Sequence, residues 1–368
     1  MTRVVFLKSR ANFQGGLEKY TQFLMRAFVD QGCSVTLLTT GTPPQLEGIK
    51  SISLTSDTKF TFWQLVRFNQ LCQQWLKHNP HEIVFGMERT TCQTHYRAGN
   101  GVHALYLKRR TLIETPWKRF TLQFNPLHRT LLSMEKKAFE AENLKVLFTN
   151  SHMVRHEILE TYSTSPEKIA VVHNGVEWKA WQSVFEHSFD QKKNDTFQLL
   201  FVGNGYKRKG LLFLLQGLVR LKKEPFILTV IGKDKNPSYF EEWAAQHGLK
   251  EKIRFLGPQK HVLPFYQKAD ALAIPSVYDP FANVTVEALA MGLYVVSSSY
   301  NGGKEVLTES SGTVIEALTS PESVADSLCK AFDNPKSPER ALKIRESIKQ
   351  LDFSNQLDKI VRKTLETV

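Results

Sequence analysis

Cysteine is scarce in this sequence: Cys33, Cys72, Cys92 and Cys329 stand far apart, with no C-x-x-C pair among them. That spacing argues against a zinc site and against a disulfide framework, and it fits a reducing cytoplasm. Long apolar runs are missing too. No stretch approaches the roughly 18 apolar residues that span a bilayer. The opening "MTRVVFLKSRANFQGG" offers only Val4 to Leu7 before charge resumes, which does not read as a signal peptide. The expectation is a soluble protein, attached at most to a membrane surface. No two aspartates lie two positions apart, so no D-x-D pair is available to clip a metal to a diphosphate. Gly15 and Gly16 lack the G-x-G-x-x-G spacing of a dinucleotide fingerprint, which leaves a Rossmann dehydrogenase with little support.

Negative charge is also in short supply. Lys and Arg outnumber Asp and Glu by 48 to 36, a formal charge of +12, so polyanions or anionic surfaces are expected partners. Charge alone does not choose among nucleic acid, lipid and nucleotide. With 42% hydrophobic and 23% charged residues the composition is globular, and 368 residues suit two domains better than one core.

Short β-branched runs at Val4 to Leu7, Ser34 to Thr40, Glu82 to Phe85, Lys145 to Thr149 and Ile169 to Val172 alternate with helical patterns near 16–31, 61–78, 130–142 and 151–162. Such alternation predicts a parallel α/β sheet. After residue 197 it begins again with "FQLLFVGN", "FILTVIG", "IRFLG", "ALAIPS", "YVVSSS" and "GTVIE" as strands. Between them, 177–196 ends in "HSFDQKKNDT", a polar stretch without apolar period that reads as a linker. The boundary is therefore set near 180. Open parallel sheets bind ligands beyond the C-terminal ends of their strands, which makes a cleft between two such sheets the expected site.

Three places carry candidate chemistry. Gly15 and Gly16 separate the first strand from a helix, where backbone amides receive anions or a tight turn simply needs glycine. In "VGNGYKRKG", Gly203 and Gly205 follow a strand and Lys207, Arg208 and Lys209 precede Gly210. Arg grips phosphate oxygens in bidentate fashion and Lys supplies a compact charge. In "VYDPFANVTVEALAMG", Asp279 and Glu287 flank a loop and helix start at Phe281, Ala282, Asn283 and Val284, whose amides suit a phosphate. Carboxylates so placed accept hydrogen bonds from sugar and ribose hydroxyls. Paired carboxylates also serve glycoside hydrolases as acid and base, and the spacing does not separate these uses.

Taken together, "GG" after the first strand, "VVHNGV" at 171–176, "VGNGYKRKG", "LGPQKHV" at 256–262, and D-x7-E followed by "EALAMG" resemble, in order and approximate spacing, the family 4 retaining glycosyltransferases of GT-B fold. The likeness covers nearly the whole chain. It is strongest to the lipopolysaccharide-core glucosyltransferases, through "RKG" and "YRAGNGVHALYLKRR".

The resemblance implies two Rossmann-like parallel-sheet domains facing across a cleft: 1–180 for the acceptor, 181–352 for the donor, and a terminal helix, 353–368, crossing back. It implies transfer of a hexose from a nucleotide diphosphate sugar, expected to be a UDP-sugar, to a lipid-linked or lipopolysaccharide-core acceptor. No metal and no other cofactor are expected. Arg208 and Lys209 would bind the diphosphate with Gly15, Gly16 and Gly203 close by. Asp279 would take the sugar hydroxyls, Glu287 the ribose, and the Phe281 to Val284 backbone would complete the pocket. The family's usual first acid is Glu, so Asp279 is one methylene short. His103 is the counterpart of a histidine that lies near the transferred sugar in many members.

The stretch 105–130 sets Lys108, Arg109, Arg110, Lys118, Arg119 and Arg129 against Glu114 alone, interleaved with Trp117, Phe120 and Phe124. Basic and aromatic residues so mixed suit anionic lipid at the cytoplasmic leaflet, with Arg109, Arg110, Lys118 and Arg119 as the contact or acceptor-side residues. Nucleic acid is not an expected partner. The alternatives are a nucleotide-sugar epimerase of the same architecture and a basic nucleic-acid-binding protein.

Overall fold

The computed structural model describes residues 1–9, 16–42, 44–54, 61–122, 124–189 and 196–368. They form two compact units, Met1–His173 with Gln356–Val368, and Asn174–Asn355.

Among the described residues the first unit holds seven strands: β1 (Arg3–Leu7), β2 (Ser34–Thr39), β3 (Ile49–Ser53), β4 (Ile83–Gly86), β5 (His95–Arg97), β6 (Val146–Thr149) and β7 (Ile169–Val171). They lie in the order β3-β2-β1-β4-β5-β6-β7, and every pairing is parallel. Val4, Val5, Phe6 and Leu7 are all buried, as a central parallel strand covered on both faces requires. Phe6 stacks on Phe85 at 5.2 Å, and Phe85 on Phe148 at 5.8 Å, so one aromatic row crosses three strands of the core.

The second unit holds six strands: β8 (Phe197–Val202), β9 (Phe226–Ile231), β10 (Ile253–Gly257), β11 (Ala271–Ile274), β12 (Tyr294–Ser298) and β13 (Gly312–Ile315). Their order is β10-β9-β8-β11-β12-β13, again wholly parallel. The strand order reverses at β8 and β11, which are neighbours in the sheet and whose C-terminal ends lie together. Doubly wound sheets bind ligands at such a point.

Both predicted parallel sheets are present, and the differences from the sequence reading have identifiable causes. Strand β3 escaped it because "IKSIS" is a half-exposed edge strand. Strand β5 escaped it because its buried residues are His95, Tyr96 and Arg97, which carry no apolar signature. The helix expected from 130 begins at Pro126, where the Asn125 side chain accepts the Leu127 amide at 2.9 Å.

The supposed linker is the largest correction. Residues 174–189 are packed into the second unit, while 190–195 lie outside the described residues. Val176 accepts the Phe353 amide at 2.8 Å and donates to the Leu351 carbonyl at 3.0 Å. The Trp178 indole donates to the Arg345 carbonyl at 3.0 Å. The buried Arg345 guanidinium lies over the Trp178 and Phe185 rings at 4.3 and 4.9 Å and donates to the carbonyls of Trp178 and Ala290. Polar composition concealed this knot because a cation, not an apolar cluster, is at its centre. The division between units accordingly falls at 173/174, ahead of 180.

The terminal helix spans Phe353–Leu365, and the chain from Gln356 onward belongs to the first unit. There Lys145 Nζ donates to the Thr367 carbonyl at 2.8 Å, and His95 Nε2 lies 3.0 Å from Thr367 Oγ1. Among the described residues no helix is long and apolar enough to cross a membrane.

One glycine governs how β8 and β11 meet. Gly210 has a left-handed φ of +79°, and a Cβ there would stand 1.8 Å from the Pro275 carbonyl oxygen. Gly210→Ala is expected to cost about 1–2 kcal/mol from the left-handed backbone alone, with the clash added. The check is a lower urea midpoint than that of the parent protein.

Candidate functional site

The loop leaving β8 and the loop leaving β11 lie side by side because their strands do. The Val277 amide donates to the Arg208 carbonyl at 2.9 Å, stitching them together. Arg208 reaches across with Nη1 3.4 Å from the Tyr278 carbonyl and 3.7 Å from Asp279 Oδ2. Lys209 Nζ donates to the same Asp279 oxygen. The lysine stem can lie this way because Gly203 has no side chain: a Cβ there would stand 2.9 Å from Lys209 Cγ. Lys209 and Asp279 are largely buried, whereas the Arg208 side chain is 39% exposed, so Arg208 is the cation that solvent and ligands reach most readily.

Asp279 is held by its backbone. Its amide donates to the Tyr300 carbonyl at 3.0 Å and its carbonyl accepts the Gly302 amide at 2.9 Å. In the same loop, the fully buried Asn301 accepts the amides of Ala282 and Gly303 on Oδ1 at 3.1 and 3.0 Å and donates to Ser297 Oγ at 3.0 Å. Asn174 Nδ2 donates to the Phe281 carbonyl at 3.3 Å and to Asn283 Oδ1 at 2.6 Å. The helix Asn283–Ala290 follows. Phe281 and Ala282 are therefore buried scaffold, and the Ala282 amide serves Asn301, which corrects its placement among the phosphate-binding amides. Asn283 and Val284 supply the first-turn amides, which have no partner within a helix.

Glu287 lies on this helix, half-buried. Burial raises its carboxyl above the ordinary value, while the Tyr266 hydroxyl and the Lys209 charge pull it back. Tyr266 donates to Glu287 Oε2 at 2.7 Å. Arg208, Lys209, Asp279, Gly203, the helix start and Glu287 thus share one end of one sheet. Two cations and first-turn amides are the kind of donors that a multiply charged anion accepts from, and the two carboxylates beside them are acceptors. Sequence reasoning missed Asn301, Asn174 and Tyr266. "YNGG" and "VVHNGV" carry turn signals for the two asparagines, but Tyr266 has no sequence signal linking it to Glu287.

The remaining candidates belong to the first unit. Gly16 opens the helix Gly16–Asp30, and Gly15 lies outside the described residues. His103 opens the helix His103–Arg110 and donates its amide to Glu135 at 2.8 Å. Glu135 is fully buried, pairs with Arg89 at 2.8 Å and accepts the Tyr162 hydroxyl at 2.7 Å. The imidazole lies 3.1 Å from His128 Nδ1. Burial, with the charges of Arg89, His128 and Arg110, lowers its pKa to about 3.

The basic stretch divides in two. Arg109 pairs with the buried Glu157 at 2.9 Å, and Arg110 with the buried Glu114 at 2.8 Å. Lys118 lies 3.5 Å from Glu114, and Arg119 Nε donates to the Glu114 carbonyl at 2.9 Å. Trp117, Phe120 and Phe124 are 76%, 56% and 61% exposed. Arg109 and Arg110 are therefore parts of the fold, and the outward face consists of the three aromatics with Lys118 and Arg119.

Two family models match the chain: "Glycosyltransferase Family 4" over residues 14–178 and "Glycosyl transferases group 1" over residues 183–349. An uncharacterized glycosyltransferase of Methanocaldococcus jannaschii is 29% identical over 214 residues, 53% of this chain and 54% of that protein. The lipopolysaccharide glucosyltransferase WaaG of Escherichia coli is 24% identical over 272 residues, 71% of this chain and 70% of WaaG. The chain spans about half the length of the first curated relatives it matches. A crystal structure of WaaG superposes with a TM-score of 0.78 at 21% identity, covering 98% of this chain and 99% of that one. That of Anabaena HepE in complex with UDP and glucose gives 0.72 at 14% identity over the full length of both chains. The fold is thus GT-B.

His103 is expected to stay neutral from about pH 5 to about pH 8, unlike an ordinary histidine. Imidazole resonances followed by NMR against a His103→Gln control would test this, and a midpoint near that of an exposed histidine would contradict it.

Proposed function

Because the chain belongs to the family 4 glycosyltransferases, we propose that it transfers a hexose, with retention, from a UDP-sugar to a lipid-linked or lipopolysaccharide-core acceptor. The observation that carries this reading is the meeting of Arg208 and Lys209 on Asp279, beside the helix that bears Glu287. WaaG is a lipopolysaccharide glucosyltransferase and HepE has been captured with UDP and glucose, which supports the donor and acceptor classes. Neither they nor the site favour an epimerase or a nucleic-acid-binding protein.

In this reading the donor diphosphate takes the place of the Asp279 carboxylate on Arg208 and Lys209. Asp279, relieved of the cations, accepts hydroxyls of the sugar, and Glu287 accepts the ribose diol. As the bond to the anomeric carbon breaks, charge accumulates on the leaving phosphate, where the two cations and the first-turn amides stabilise it. Such prearranged electrostatics is commonly the largest catalytic term. The acceptor hydroxyl attacks from the face the diphosphate leaves, and its proton passes to the leaving phosphate. The cations do the neutralising that a metal would otherwise do, so the reaction runs without metal.

We also propose attachment to the cytoplasmic face of a membrane through Trp117, Phe120 and Phe124, with Lys118 and Arg119 meeting anionic headgroups. The exposure of the three aromatics supports this.

Metal-free calorimetry with UDP, GDP and ADP tests the donor site. UDP is expected to bind, and Arg208→Ala and Glu287→Ala to abolish or greatly weaken that binding; binding unchanged in both variants would refute the assignment. In turnover, Arg208→Ala is expected to lower kcat roughly 10²- to 10³-fold, by analogy with one lost oxyanion donor. For the membrane, co-sedimentation with phosphatidylglycerol vesicles should fail when Trp117, Phe120 and Phe124 are replaced by Ala. Replacing Arg109 by Ala should instead lower thermal stability, because it removes the cation paired with the buried Glu157. Undiminished co-sedimentation of the triple variant would exclude this face.

A further inference from the structure

Tyr266 is a buried phenol that the proposed chemistry does not use, 21 residues before Glu287 in sequence, yet its hydroxyl meets that carboxylate at 2.7 Å. It sits on the helix Leu263–Lys268, and its ring lies 6.5 Å from that of Trp181. The end of this helix is gripped by the buried Lys336, whose Nζ donates to the carbonyls of Tyr266 and Gln267 at 3.4 and 3.2 Å. The Lys336 amide donates in turn to Asp270 Oδ1 at 3.0 Å. The hydroxyl therefore has little freedom to follow Glu287, and the carboxylate must come to it.

An ionised carboxylate only accepts, so the phenol donates, and the bond occupies one of about four acceptor sites on the two oxygens. It also sets the rotation of the group. The remaining sites on Oε1 and Oε2 are those open to a ligand. A vicinal diol needs two acceptor sites at one fixed orientation, and a carboxylate free to rotate offers that orientation only part of the time.

We infer that Tyr266 is a positioning residue for nucleotide recognition: it orients the Glu287 carboxylate to receive the ribose 2′- and 3′-hydroxyls. This rests on the reading above, in which Glu287 accepts the ribose. The hydrogen bond also favours the charged form of a carboxyl that burial pushes the other way.

The test compares whichever of UDP, GDP and ADP binds the wild-type protein best with its 2′,3′-dideoxy analogue, by calorimetry, in wild type, Tyr266→Phe, Glu287→Gln and the double variant. Wild type should prefer the natural nucleotide. Tyr266→Phe should lose about tenfold in affinity for it, the scale of one hydrogen bond to a charged group, and little for the dideoxy analogue. In the Glu287→Gln background, Tyr266→Phe should change neither affinity. Equal weakening toward both nucleotides would mean that Tyr266 only supports the fold, and unchanged affinity would mean that Glu287 needs no such guide; either result overturns the inference. A wild type that does not distinguish the two nucleotides would instead remove the ribose assignment of Glu287, and the inference with it. If Tyr266→Phe does not fold, Glu287→Asp draws the carboxylate back from the phenol by one methylene. Full retention of the preference in that variant would likewise overturn the inference.

Discussion

Neighbouring strands β8 and β11 share a pairing, and the loops that leave them are joined at its end by the Val277 amide on the Arg208 carbonyl. Nearly everything chemical in the second unit depends on that geometry. It sets Arg208 and Lys209 on one loop within reach of Asp279 on the other. It aims the helix start at Asn283 toward the same edge. Gly210 makes the close approach of the loops feasible, since any side chain there would strike the Pro275 carbonyl. The sheet thus supplies position, and the loops supply only identity.

Charge at this edge is deliberately unequal. Arg208 and Lys209 share one carboxylate, so the cluster keeps an excess of positive charge even with Asp279 in contact. A second carboxylate, Glu287, is near enough to interact with the Lys209 charge but takes its hydrogen bond from Tyr266. Under the proposed reading, Asp279 gives up the cations to an incoming diphosphate that carries more charge than it does. The cations stay paired at both stages, and Asp279 exchanges its ion pairs for hydrogen bonds from the sugar hydroxyls, which matters because a buried charge with neither costs several kcal/mol.

The parallel sheets were legible in the sequence because parallel strands buried on both faces read as continuous apolar runs, as β8 and β11 of the second unit do. Strands β3 and β5 were not, one being a half-exposed edge and the other built from His95, Tyr96 and Arg97. The cations, Asp279 and Glu287 were legible because strand-loop-helix junctions are marked by glycine and proline. What holds them was not. Asn301, Asn174, Tyr266 and Arg345 act through contacts made across long sequence separations, and a single asparagine or tyrosine looks the same whether it anchors a loop or faces solvent. The basic stretch misled in the opposite direction: its composition advertises a surface, yet Arg109 and Arg110 are matched to carboxylates inside the fold.

Asp279 has a short side chain, and its main chain is fastened on both sides by Tyr300 and Gly302. A side chain with two torsions has little room to compensate for a misplaced backbone. Where its carboxylate stands is therefore set largely by the parallel bridge between 279 and 301. Under the proposed reading, the fit of the donor sugar therefore depends on the segment Tyr300 to Gly303, which touches no ligand, as much as on Asp279 itself.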